Sequence, residues 1–156
     1  MVVQVEQEPG EPVELVELSL DQCIARLRTA TVGRVAVVVN EFPVVLPVNF
    51  RVVDMPGTPW LAFRTRTGNV LDRAPIPAAL EIDGIDLVDH RGWSVLARGT
   101  LHHVDPESAD FEERFDPGPW LPDREAWLAI VPFSITGRRI IGASDWAQLA
   151  PLLDPN

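Results

Sequence analysis

Arg34-Val35-Ala36-Val37-Val38-Val39, then Asn40-Glu41-Phe42-Pro43, then Val44-Val45-Leu46-Pro47-Val48-Asn49-Phe50: two valine-rich runs flank a short polar connector. Valine branches at Cβ, which crowds a helical turn but packs well on a pleated surface. Two such runs on either side of a short polar connector read as a β-hairpin. In the second run, alternation sends Val44, Leu46, Val48 and Phe50 to one face and Val45, Pro47 and Asn49 to the other. Pro47 has no backbone N–H to give to a ladder, so its position belongs at a sheet edge or a bulge.

Upstream of the hairpin, Ser19-Leu20-Asp21-Gln22 has the form of a capping box. Leu20, Cys23, Ile24 and Leu27 follow at the offsets of one helical face, which gives a short amphipathic helix. Residues 1–14, MVVQVEQEPGEPVE, are acidic and broken by Pro9, Gly10 and Pro12, and read as a loose arm. Downstream, Trp60 to Thr65, Ala78 to Asp83, Trp93 to Val104 and Trp127 to Ile141 read as strands, with Gly99 marking a bend or bulge in the longest extended run. Helices are expected over Gly68 to Arg73 and Asp105 to Phe115, and after a Ser144 cap through Leu149; Pro117 to Pro122 forms a rigid loop around Trp120. About six antiparallel strands with short helices between them give a mainly β domain over residues 15–156, a small closed or half-open barrel.

Charge and composition narrow the function. The chain carries 23 acidic and 13 basic residues, a formal net charge of −10, which opposes binding to nucleic acid or anionic lipid. All 13 basic residues are arginine, so Schiff-base chemistry and lysine-dependent phosphate loops are excluded. A lone cysteine, Cys23, forms no internal disulfide, which fits a reducing, cytoplasmic setting. Apolar runs such as Val35 to Val39 are far shorter than the ~20 residues that cross a bilayer.

The segment Arg64-Thr65-Arg66-Thr67-Gly68-Asn69 follows a strand and precedes an expected helix. Backbone N–H groups, two threonine hydroxyls and guanidinium groups in that setting suit a bound phosphate, and the same residues also suit a plain solvated turn. Gly137 to Ser144 has the outline of a P-loop but places Ala143 where the lysine must be. Arg138 and Arg139 are strand neighbours facing opposite ways, so at most one serves a given site. The same rule separates His102 from His103 and argues against a shared metal. Ser94 lacks the second glycine of a nucleophile elbow.

Five segments in order, Gly33-Arg34-Val35-Ala36, Pro43 to Phe50, Phe63-Arg64-Thr65, Gly92 to Gly99 and Ile135 to Ile140, resemble the motifs of the pyridoxamine 5'-phosphate oxidase-like flavin-binding proteins of actinobacteria. The resemblance implies a split β-barrel that forms a homodimer and binds FMN, the deazaflavin coenzyme (factor 420) being the alternative cofactor. It implies that Leu46, Pro47, Val48 and Asn49 run beside the isoalloxazine ring and that Arg64, Thr65 and Thr67 hold the phosphate. Trp93 and Ser94 would lie near the ring or the ribityl chain, and Arg139 would reach the site, from the partner subunit in one arrangement. Asn69 stands where many relatives carry a phosphate-binding lysine. The activity implied is a flavin-dependent oxidoreductase with a small-molecule substrate and a separate electron donor. A deazaflavin-dependent reductase, a non-catalytic flavin carrier and a cofactor-free dimeric scaffold are the other readings.

Overall fold

The valine hairpin closes on two residues, not four. In the computed structural model, which describes residues 13–142 and Asp145, β2 (Val32–Val39) pairs with β3 (Phe42–Val53) from Val32↔Asn49 through Val39↔Phe42. Asn40 and Glu41 take φ values of 50° and 68°, the two-residue turn whose twist matches that of its strands. Phe42 and Pro43, read above as connector, therefore belong to β3.

The remaining elements are β1 (Val13–Glu17), α1 (Leu20–Thr29), β4 (Trp60–Thr65), β5 (Ile76–Asp86), β6 (Arg91–His103), α2 (Phe111–Phe115) and β7 (Ala126–Gly142). All pairings are antiparallel, and the sheet order is β1-β7-β4-β3-β2-β5-β6 with a further β7–β6 pairing. That last pairing turns the sheet into a six-stranded ring, and β1 adds to the outside of β7. The 17 residues of β7 make this possible. Its start pairs with β4, its end pairs with β1, and its other edge carries β6 from Leu128 to Arg139. Closure pairs most of the strand edges at which sheets aggregate and leaves β3 unpaired by β4 before Phe50, and the architecture is the split barrel expected.

The interior follows strand alternation. Val35 and Val37 from β2, Phe50 from β3, Leu61 and Phe63 from β4, Leu80 and Ile82 from β5, Val95 and Leu101 from β6 and Leu128 and Ile130 from β7 are all buried. Cys23 and Leu27 of α1 pack into the same core. The helix starts as expected: the Ser19 hydroxyl accepts the Gln22 N–H at 3.2 Å, and the Gln22 side chain accepts the Ser19 N–H at 2.9 Å. Cys23 is fully buried, and that burial pushes its thiol up while Arg26 works against it, as suits a core residue.

Three expectations differ from the structure. Val13 and Glu14, assigned to the arm, lie in β1, which makes seven strands among the described residues. In place of the helix expected over residues 68–73, residues 67–71 form turns and a bend. The expected helix over residues 105–115 shrinks to the five residues of α2, where Phe111 and Phe115 stack at 4.6 Å between ring centroids and Phe111 meets the Trp127 edge at 5.0 Å. The helix expected after Ser144 lies outside the described residues. At Gly99 the β6–β7 register shifts, Arg98 pairing with Ser134 but Gly99 with Pro132, which is the bulge that the glycine announced.

Candidate cofactor-binding cleft at the split

β3 and β4 pair from Val53↔Trp60 to Phe50↔Phe63 and then part. Continued by one step each, the ladder would join Asn49 to Arg64 and Val48 to Thr65. Those residues instead line a cleft of about 180 Å³, together with Leu46, Pro47, Asn69 and Leu71 and with Pro119, Leu121 and Arg124 of a long loop. The Phe50 N–H donates to the Thr31 carbonyl on the β2 side. By alternation, the N–H groups of Asn49 and Val45 and the carbonyl of Pro47 point to the opposite, unladdered edge. Pro47 thus sits where its missing donor costs no strand bond, as its sequence position required.

Asn49 holds the loop and keeps a donor in reserve. Its Oδ1 accepts the Trp120 N–H at 3.0 Å, which fixes the orientation of the amide. Its Nδ2 is buried without a hydrogen-bond partner. An unmet buried donor costs about 1 to 3 kcal/mol, so this nitrogen is a point at which a ligand acceptor gains more than it would from an exposed group.

Arg64 has partners of its own. Its Nε donates to the Arg124 carbonyl at 2.7 Å, its Nη1 lies 3.4 Å from Asp116 Oδ1, and its guanidinium stacks on the Trp127 ring at 4.3 Å from the centroid. These contacts tie the Asp116–Glu125 loop to β4. The loop's prolines and glycine predict rigidity but not its location, because such segments carry no periodicity from which a face can be read.

The expected phosphate cradle has a different form. Gly68 adopts φ 78°, Asn69 N–H donates to the Arg66 carbonyl and Asp72 N–H to the Asn69 carbonyl. Asp72 Oδ2 accepts the Gly68 N–H at 2.7 Å, and Asp72 also bonds His103. The Gly68 N–H, and after it His103, hold the Asp72 carboxyl below the usual carboxylate range. No helix N-terminus faces the cleft here, because that carboxylate closes residues 68–72 into a turn. Thr65 is buried and lines the cleft, whereas Thr67 is exposed and does not.

Trp93, Ser94 and Arg139 also lie away from this cleft. Trp93 packs against the core, beside Arg139 in register and under the Arg26 guanidinium at 4.3 Å. Ser94 faces outward in register with Arg138 and Asp83. Of the expected site residues, Leu46, Pro47, Val48, Asn49, Arg64, Thr65 and Asn69 meet within one chain, and Thr67, Trp93, Ser94 and Arg139 do not join them. Among the described residues, no helix is long and apolar enough to cross a membrane, and no group of three or more acidic, histidine or cysteine side chains is placed to hold a metal ion.

Comparison with solved structures returns the same architecture. The chain is 28% identical to an FAD-binding protein from Mycobacterium smegmatis, over 81% of this chain and 98% of that one, with a TM-score of 0.61. A conserved protein of unknown function from Corynebacterium diphtheriae is 27% identical over 81% of this chain and 98% of its own, with a TM-score of 0.69. An FAD-binding protein from Mesorhizobium loti, at 19% identity and covering 83% of this chain and 99% of its own, shares the fold with a TM-score of 0.66. No curated protein matches the chain. The family model for pyridoxamine 5'-phosphate oxidase matches residues 19–139, from the cap of α1 to the arginine pair of β7. On a match that spans most of the molecule and every strand of its ring, the chain belongs to the pyridoxamine 5'-phosphate oxidase family.

Proposed function

We propose that this protein binds a flavin in the cleft between β3 and β4 and acts as an oxidoreductase on a small-molecule substrate, with FMN as the cofactor. The observation that carries the proposal is the buried, unpartnered Nδ2 of Asn49, a residue that lines the cleft. An isoalloxazine ring offers carbonyl acceptors along one edge and an N–H donor between them. Asn49 Nδ2 and the Asn49 N–H would meet the acceptors, and the Pro47 carbonyl would meet the donor. Leu46 and Leu71 supply apolar wall, and Arg124 and Arg64 bring positive charge to the same cleft. The bound flavin would supply the chemistry by accepting and returning electrons, while the chain orients it and keeps water away.

One chain offers less room than the cofactor needs. At about 180 Å³ the cleft falls below the ~300 to 1,000 Å³ of typical small-molecule pockets. The proposal therefore includes a homodimer, in which a second subunit adds further wall. Support comes from the outer face of the barrel, where the registers align Val45 with Ala36 and Ala36 with Ala79. Phe133, exposed at 78%, and Val38 add to the apolar outer surface. A face of this kind favours burial against a copy of itself.

Asn49→Asp tests the reading in a titration that follows flavin fluorescence with FMN, FAD and the deazaflavin coenzyme in parallel. Aspartate keeps an oxygen for the Trp120 N–H and replaces the Nδ2 donor with an acceptor. FMN affinity should fall roughly tenfold or more. An unchanged affinity would remove the flavin from this cleft. FAD belongs in the comparison because the M. smegmatis relative is named for it.

A further inference from the structure

The turn that borders the cleft already contains an anion. Asp72 Oδ2 accepts the Gly68 N–H at 2.7 Å, and its other oxygen bonds His103 Nε2. The Asp72 side chain is 12% exposed, so the carboxylate is held inside the turn and does not wave in solvent. Gly68, at φ 78°, lies in a turn closed by the Asn69 N–H to Arg66 carbonyl and Asp72 N–H to Asn69 carbonyl bonds. Asn69 of the same turn lines the cleft. Arg66 and Arg73 flank the turn, are exposed, and form no ion pair among the described residues.

We propose that the Asp72 carboxylate is an internal competitor for the phosphate group of the ligand: it fills the anion position of the Gly68 turn, and a phosphate monoester binds there only by displacing it. The inference rests on the flavin reading and adds to it a residue that sets the preference between phosphorylated and unphosphorylated ligand. Two anions cannot share one N–H donor, and like charges at that separation repel. Once Asp72 swings out, Gly68 N–H is free to donate to the ligand, and Arg66 and Arg73 are near enough in sequence to supply the countercharge. His103 then acts as the holding partner of Asp72 in the closed turn. In a chain without lysine, this arrangement makes the phosphate contribution conditional, whereas the Asn49 contribution to the ring is not.

Asp72→Asn provides the test, since asparagine retains an oxygen for the Gly68 N–H but removes the negative charge; Asp72→Ala is the second variant, which empties the position. FMN and riboflavin, which differ by the phosphate alone, are titrated into each protein. The expected result is FMN binding tightened roughly tenfold in Asp72→Asn, with riboflavin binding unchanged. An FMN-to-riboflavin preference equal to that of the wild type in both variants would overturn the proposal. Unchanged riboflavin binding also verifies that the variants are folded. Inorganic phosphate is added separately while the Gly68 amide is followed by 1H–15N NMR. That resonance should move in Asp72→Asn or Asp72→Ala at phosphate concentrations that leave the wild type still, and a Gly68 amide indifferent to phosphate in all three proteins overturns the proposal. If no flavin binds any of the three proteins, the flavin reading fails, and the Gly68 response still decides for or against the internal anion.

Discussion

Replacing Gly99 with alanine is expected to lower the unfolding free energy by about 2 kcal/mol or more, at or beyond the middle of the range for overpacked sites. A Cβ at this position would lie 2.0 Å from the Val131 carbonyl oxygen and 2.7 Å from the Pro132 Cα. Both atoms are backbone, and they belong to β7, which is held by β6 on one edge and by β4 on the other. Neither strand can yield without breaking the ring where the β6–β7 register shifts. Gly33 provides the contrast, because there the nearest atoms belong to side chains, Leu80 Cδ2 at 2.9 Å, Leu80 Cγ at 3.1 Å and Phe50 Cδ1 at 3.2 Å, and not to backbone. Urea unfolding should show the Gly99→Ala midpoint well below that of the wild type, and equal midpoints would contradict the bulge. Against a typical total of about 5 to 15 kcal/mol, the loss leaves a marginal protein.

Arg64→Ala is expected to destabilise the protein by about 2 kcal/mol and to release the Asp116–Glu125 loop even with no flavin present. The side chain is about three-quarters buried and makes three contacts at once, with the Arg124 carbonyl, with Asp116 and with the Trp127 ring. A hydrogen bond from a charged donor contributes about 1.5 to 3 kcal/mol and a cation–π contact about 0.5 to 1 kcal/mol at exposed sites. Lysine should not rescue the variant, since it has neither the planar fork nor the Nε donor. Hydrogen exchange at the Trp120 amide reports the outcome: it should accelerate in Arg64→Ala and in Arg64→Lys. Slow exchange in both would mean that Asn49 alone holds the loop. Because the effect is expected without ligand, it separates the role of Arg64 as a strut from any role at a phosphate.

Much of the fold was readable because its signals are local. The Ser19–Gln22 box, the valine alternation, the donor-free Pro47 and the small Gly99 each impose a rule on their own few residues, and each holds. The failures came where a distant residue decides. β1 exists because Val13–Glu17 pairs with the far end of β7, with Glu17 opposite Arg138; nothing in five residues announces that partner. The turn at residues 68–72 replaces a helix because Asp72, held in part by His103 of β6, takes the Gly68 N–H. In the cleft, Leu46 to Asn49 and Arg64-Thr65 meet because β3 and β4 are consecutive and antiparallel. Trp93 and Ser94 were assigned together by resemblance, yet as strand neighbours they face opposite ways, by the same alternation that separates Arg138 from Arg139. The contributions of Pro119, Leu121 and Arg124 could be found only in three dimensions.

Equilibrium titration of the ligand-free protein with FMN, followed by the change in flavin fluorescence, addresses the whole proposal at once. Saturable binding at one FMN per chain is the result expected from a cleft that each subunit carries between its own β3 and β4. Absence of saturable binding for both FMN and FAD would contradict it, and would leave a family split barrel whose buried Asn49 donor serves some other ligand.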